Sequence, residues 1–186
     1  MPTWLWIFII LAGGLFGLKM TYILCTALVL PITQGALYVS TSRVRIRAFI
    51  EAVPMKQGQL LVDLGCGDGR VLRQVRKHYN VDTVGYEVNL LAYLKARVLC
   101  IGLKGIEIRR ENFWPVDLSG ADVVFCYLYP DVMKKLSDKL RKNLKSGTVI
   151  VSCNFALPGF KPTRVLRSKG SWHNAPLYFY QIQGNN

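Results

Sequence analysis

The 186-residue chain reads as an α/β protein: an apolar N-terminal helix, then a doubly wound, seven-stranded sheet, mostly parallel, with a C-terminal antiparallel hairpin. Three observations predict this. Five short apolar runs from residue 59 onward interleave with helical patterns, the signature of a parallel sheet covered on both faces. Two further strand-like runs close the chain with no helix between them. A parallel pair needs a longer crossover, so these two add as a hairpin. Finally, Trp4 to Leu30 is almost continuously apolar, unlike anything after it.

As a helix, Trp4–Leu30 rises about 40 Å at 1.5 Å per residue. The hydrocarbon core of a bilayer is about 30 Å thick, so one tilted transmembrane helix is the simplest reading. Lys19 interrupts it and either snorkels, faces a partner or separates two shorter segments. A cleaved signal peptide fits less well, because the basic start is missing and the apolar part is too long. Arg43, Arg45 and Arg47 follow soon afterwards. That excess of positive charge predicts a single-pass protein with its N-terminus outside and the rest facing the cytoplasm or an equivalent reducing compartment. Residues 1–41 are expected to form the anchor and 42–186 the folded domain.

Within the domain, residues 43–53 predict a helix with Val44, Ala48 and Phe49 inward, ended by Pro54. Gln59–Leu64 is a buried strand bounded by glycines. Gly69–Tyr79 is a helix with Val71, Leu72 and Val75 on one face, and Thr83–Glu87 is a second strand. Asn89 caps a helix over Leu90–Ile101 that Gly102 ends. Gly105–Arg109 and Asp122–Tyr127 are strands three and four. Asp131–Lys145 is a helix with a stripe of Val132, Leu136, Leu140 and Leu144, its basic side chains forming the solvated opposite face. Thr148–Cys153 is strand five. Residues 163–168 and 176–182 form the final hairpin.

The chain is 51% hydrophobic and 19% charged, which permits a packed core and excludes extended disorder. Lys19 is the single charged residue before Arg43, so all but one unit of the formal net charge of +13 falls in the domain. Such a charge favours anionic partners, acidic lipid among them. The basic residues are scattered and do not interleave with aromatics in one block, so nucleic acid is not the expected partner. The five cysteines are Cys25, Cys66, Cys100, Cys126 and Cys153. Their odd number and the missing CxxC pair indicate reduced thiols. His78 and His173 stand far apart, and no ligand cluster is present, so no metal is expected.

The chemistry concentrates in Val62-Asp63-Leu64-Gly65-Cys66-Gly67-Asp68-Gly69-Arg70. This segment follows a buried strand and opens a helix. Glycine allows a tight turn and close approach of a ligand to the main chain, and the helix start offers free N–H groups. Glu87 ends the next strand about 20 residues later, where a carboxylate accepts hydrogen bonds from ribose hydroxyls. Nicotinamide and flavin sites favour G-x-G-x-x-G. Here the spacing is G-x-G-x-G, with Asp63 two residues ahead. That carboxylate disfavours a pyrophosphate and suits a cationic ligand bearing an amino group and a sulfonium.

With Gly85-Tyr86-Glu87, this segment resembles motifs one and two of the class I, seven-stranded, Rossmann-like methyltransferases that use S-adenosylmethionine. It resembles more narrowly the small membrane-anchored lysine methyltransferases of the ATP synthase c subunit and the adenine nucleotide translocase, with their prokaryotic relatives. Tyr38 to Arg47, Gly67 to Arg70, Gly85 to Asn89, Asn112-Phe113-Trp114 and Ala156 to Pro162 carry that likeness. The resemblance implies that Asp63, Gly65 and Gly67 line the methionine end of S-adenosylmethionine, that Cys66 and Gly69 also belong to the cofactor site, and that Glu87 holds the ribose. Asn112 stands where the superfamily usually has Asp facing adenine, and an amide can also bond adenine. Pro158 departs slightly from the narrow family's aromatic-rich pattern. Tyr127 to Pro130 falls where the superfamily contacts substrate.

Methyl transfer from a sulfonium needs alignment more than acid–base groups. A lysine acceptor must arrive neutral, against an ordinary pKa of about 10.4, and aromatic faces can hold the amine. Phe113, Trp114, Tyr127 and Tyr129 are the candidates. The expected activity is protein-lysine methylation of a membrane-associated protein. The alternatives are methylation of a lipid or quinone-like molecule, a non-catalytic cofactor-binding assembly factor and, on net charge alone, RNA methylation.

Overall fold

The computed structural model describes residues 2–33, 40–167 and 175–183. Tyr38, Val39, Ser168 and His173 lie outside these residues. Helix α1 spans Thr3–Thr33 and runs unbroken through Lys19. Its stretch Thr3–Leu24 is long and apolar enough to cross a membrane. Its described side chains are almost all exposed, and a Cβ added at Gly13, Gly14 or Gly17 meets nothing within 4 Å.

The domain is a seven-stranded sheet formed by β1 (Leu60–Leu64), β2 (Asp82–Tyr86), β3 (Ile106–Arg109), β4 (Val123–Cys126), β5 (Val149–Cys153), β6 (Arg164–Arg167) and β7 (Pro176–Gln181). Their order is β3-β2-β1-β4-β5-β7-β6. The first five pair in parallel. β7 is antiparallel to both neighbours and inserts between β5 and β6. The order reverses between β1 and β4, which opens a crevice beyond the carboxyl ends of those strands.

Four helices cover the sheet: α2 (Arg43–Ala52), α3 (Arg70–Tyr79), α4 (Leu90–Leu99) and α5 (Met133–Asn143). Alternation along each strand feeds two cores. Leu61, Phe125 and Val151 join Phe49, Leu72 and Val75 on one face. Val62, Val124 and Ile150 join Leu136, Leu140 and Tyr180 on the other. Phe49 and Phe125 meet at a centroid distance of 5.1 Å, which seats α2 on β4.

The structure corrects several expectations. Val44 points outward, 48% exposed. α2 is rotated so that Arg45, Ile46, Phe49 and Ile50 are buried, because Ile46 and Ile50 bury more apolar surface than Val44 and Ala48 can. Gly69 precedes α3 as its left-handed cap. α4 stops at Leu99, and Asn89 caps it by accepting from the N–H groups of Leu91 and Ala92. Pro130–Val132 forms a 3-10 turn before α5, since Pro130 fixes φ and lacks an N–H. The basic side chains of α5 are not merely solvated. Lys139 bonds the Val116 carbonyl, Arg141 donates to Gly159 O at 2.9 Å, and Lys145 pairs with Asp122 at 2.8 Å.

Candidate active site

Strand β1 carries Asp63 to the crevice and the chain then turns through the glycine loop. The backbone is left-handed at alternate positions, with φ of 79° at Gly65, 57° at Gly67 and 70° at Gly69. Side chains disfavour all three. The Tyr86 carbonyl fastens the loop to β2, accepting from Gly65 N at 2.9 Å and Cys66 N at 3.0 Å. Gly85 lets the loop lie flat on β2: a Cβ there would sit 2.7 Å from both Cβ and Sγ of Cys66.

A narrow hollow at this turn is lined by Ser40, Thr41, Asp63, Gly65, Cys66, Asp68, Arg70, Val71, Phe125 and Tyr127. Asp63 is 2% exposed. Burial, then the nearby charges of Glu87 and Asp68, push its carboxyl well above the usual range. A buried carboxylate with like charges around it is the arrangement that a cationic ligand relieves. The same burial pushes the Cys66 thiol well up, which disfavours its thiolate.

Glu87 is not a wall of this hollow. Its carboxylate accepts from Gly67 N and from Asn89 N, each at 2.8 Å. Burial raises its carboxyl more than those bonds lower it. Each oxygen keeps lone-pair capacity for a hydroxyl. Asn112 accepts from Trp114 N at 3.0 Å through Oδ1, so its amide nitrogen stays available to a base.

Of the four aromatic candidates, Tyr127 lines the hollow, with the Arg45 guanidinium 5.8 Å from its ring centroid. Phe113, Trp114 and Tyr129 are not among the lining residues. Phe113 and Trp114 pack together at 4.7 Å, and Lys135 lies 4.4 Å from the Trp114 centroid. Among the described residues no metal-holding group of His, Cys, Asp or Glu occurs.

Sequence reasoning missed the roof. Arg70 clamps Asp68 through Nε at 2.9 Å and Nη2 at 2.8 Å, and through Nη1 it donates to Thr41 O at 3.2 Å. One side chain thus ties the segment ahead of α2 to the glycine loop. Its position directly after Gly69 was the available signal. Burial opposes ionisation of Asp68, yet Arg70, with Lys95 and Arg73 behind it, holds that carboxyl down at about 2. An acid depressed in the folded state stabilises it above the unfolded value near 3.9 and loses that effect as pH falls towards 2. Arg70→Leu is therefore expected to lower stability at pH 7 by about 1–2 kcal/mol. The deficit should shrink below pH 3 in urea titrations of the detergent-solubilised chain. A pH-independent deficit contradicts the ion-pair account.

The strand order, the left-handed glycine loop at the switch point and the unrelieved carboxylate define an S-adenosylmethionine-dependent methyltransferase. The chain belongs to the family described as the ANTKMT methyltransferase domain, matched over residues 63–164, whose relatives are protein-lysine N-methyltransferases. It is 36% identical over 149 residues to a protein-lysine N-methyltransferase of Saccharolobus islandicus, covering 78% of this chain and 92% of that one. It is 29% identical over 139 residues to the adenine nucleotide translocase lysine N-methyltransferase of Mus musculus, covering 73% of this chain and 60% of the mouse protein. Among solved structures, an RNA methyltransferase of Salinibacter ruber bound to S-adenosylhomocysteine superimposes with a TM-score of 0.73 at 28% identity. That match covers 80% of this chain and 96% of the other.

Proposed function

We propose that the chain methylates lysine side chains of a membrane-associated protein, with residues 1–41 as a single-pass anchor and 42–186 as the catalytic domain. The domain is assigned to the cytoplasm or an equivalent reducing compartment. Support comes from the apolar α1, the Arg43, Arg45 and Arg47 cluster behind it, and the unpaired Cys66, Cys100, Cys126 and Cys153. The mouse relative is named for a membrane-protein target.

The carrying observation is the buried Asp63 carboxyl, pushed well up by burial and by the nearby charges of Glu87 and Asp68, in a hollow that it shares with Tyr127. S-adenosylmethionine supplies an electrophilic methyl group on a sulfonium. We assign Asp63 to its cationic methionine end, the main chain of Gly65, Cys66, Gly67 and Gly69 to the cradle, Glu87 to the ribose hydroxyls and Asn112 to the adenine. Tyr127 then offers its ring to the incoming amine, with Phe113, Trp114 and Tyr129 shaping the approach. A lysine entering this dry site loses its proton more readily, and positioning supplies much of the rate.

The test is to incubate the full chain in source membranes with methyl-labelled cofactor and then separate protein, lipid and RNA. Label is expected in protein, on lysine, and is expected to vanish with Asp63→Ala. Label in lipid, or in RNA as the name of the Salinibacter neighbour suggests, replaces the lysine assignment. Cofactor binding without label in any fraction identifies a non-catalytic assembly factor.

A further inference from the structure

Helix α4 is packed in an unusual sense. The residues it buries against the sheet are Ala92 and Ala96, 2% and 0% exposed. Past the half-buried Leu90 and Leu91, its later aliphatic side chains face outward: Leu94 is 47% exposed and Val98 65%, Leu99 is exposed beside them, and the turn that follows adds Ile101, 77% exposed, and exposed Leu103. Leu94 and Val98 fall at i and i+4 on α4, and Ile101 continues that exposed aliphatic surface in the turn at Gly102. Exposed Arg97 and Lys104 flank it, while Lys95 beside them pairs with Asp68 at 3.5 Å. On the adjoining β3, Glu107 is held by Arg109 at 2.8 Å, so the one carboxylate of that strand is already paired and does not oppose Arg97 and Lys104. The backbone of α1 comes within 8 Å of α4, yet these side chains stay exposed with α1 in place.

We propose that this outer face of α4 is a membrane-docking surface that rests on an acidic lipid bilayer. An exposed aliphatic stripe of this extent marks an interaction site. Its basic borders match anionic headgroups, as in helices that lie in the interface plane. A protein partner accounts for the aliphatic stripe but not for its proximity to an apolar helix of membrane-spanning length. The inference rests on reading α1 as an anchor, and the test reads the two separately.

The full chain is reconstituted in acidic vesicles with brominated acyl chains, as Ile101→Trp and as Lys142→Trp on the exposed side of α5. Subtracting the parent emission isolates each added indole. Comparing the parent with the Trp4→Phe/Trp6→Phe chain reads α1. The indole at position 101 is expected to emit at shorter wavelength and to lose roughly half its intensity to bromine, while that at position 142 loses none. Quenching of Trp4 and Trp6 without quenching at position 101 overturns the docking surface and leaves the anchor standing. Quenching at neither place overturns both. A blue-shifted but unquenched indole at position 101 means that a protein or a second copy covers the face, which also overturns the proposal.

Discussion

Asp63→Asn is expected to stabilise the cofactor-free protein while weakening S-adenosylmethionine binding roughly 100-fold, the equivalent of about 2.7 kcal/mol. Both effects have one source. The Asp63 carboxyl is buried on β1 with Glu87 and Asp68 as like-charged neighbours, and its titration is pushed well above the usual range. The folded state therefore holds that proton more tightly than the unfolded chain does. Stability contributed by this group falls as pH rises from the unfolded value near 3.9 through the raised folded value. The asparagine amide does not ionise, so the gain in thermal midpoint is largest above the raised value and disappears below about pH 4. Each kcal/mol recovered corresponds to roughly 2–4 °C at this chain length.

Binding follows the opposite sign. A sulfonium and an ammonium favour ionised Asp63, so the cofactor expels the proton wherever the free site holds one. Affinity for S-adenosylmethionine should rise with pH through the raised titration and then level off, and Asp63→Asn should flatten that profile. Isothermal calorimetry in two buffers of different ionisation enthalpy measures the proton released. Near-parental affinity in Asp63→Asn, or a lower thermal midpoint, ends the assignment of this pocket.

Gly85→Ala carries the second large effect, an expected loss of about 2–3 kcal/mol of folding stability together with weaker cofactor binding. Gly85 lies in β2 between Asp63 of β1 and Ile108 of β3. An added methyl would stand 2.6 Å from Leu72 Cδ1 and 2.7 Å from Cys66 Cβ and Sγ. Leu72 is fully buried and cannot swing into solvent. Cys66 cannot recede, because the Tyr86 carbonyl holds its N–H. The strain therefore moves the glycine loop itself. Leu72→Ala vacates the nearest obstacle, so the double variant should lose measurably less than the sum of the singles. Urea unfolding of all four chains gives the coupling. A loss under about 0.5 kcal/mol for Gly85→Ala alone shows that the loop has slack that its geometry does not suggest.

The five parallel strands and the α5 stripe were legible because they depend on local period. Val132, Leu136, Leu140 and Leu144 repeat every four residues, and all four are buried. The loop from Gly65 to Gly69 was legible because its glycine spacing demands left-handed backbone. Non-local facts were hidden. Nothing in residues 176–181 says that they slip between β5 and β6, since that choice is made by edges formed far away in sequence. The rotation of α2 was ambiguous because one residue turns a helix by about 100°, and both Val44 and Ile46 offered an apolar start. The inward face of α4 was ambiguous for a different reason. Its sequence is apolar on two sides, and close contact with the sheet selects the alanine side. The roof at Thr41 escaped notice because a main-chain carbonyl has no sequence signature.

The bond from Arg70 to that carbonyl sets a mechanical limit. With Thr41 pinned to the cradle, the stretch of polypeptide back to Thr33 at the end of α1 can extend no further than about 30 Å, at the roughly 3.8 Å that separates successive α-carbons. Whatever medium holds α1, the transferable methyl travels on a short leash. With α1 anchored as proposed, an acceptor nitrogen beyond that span plus the breadth of the domain is out of range however well its flanking residues fit. Lengthening the tether, rather than reshaping the cavity, is the direct way to widen the set of reachable targets.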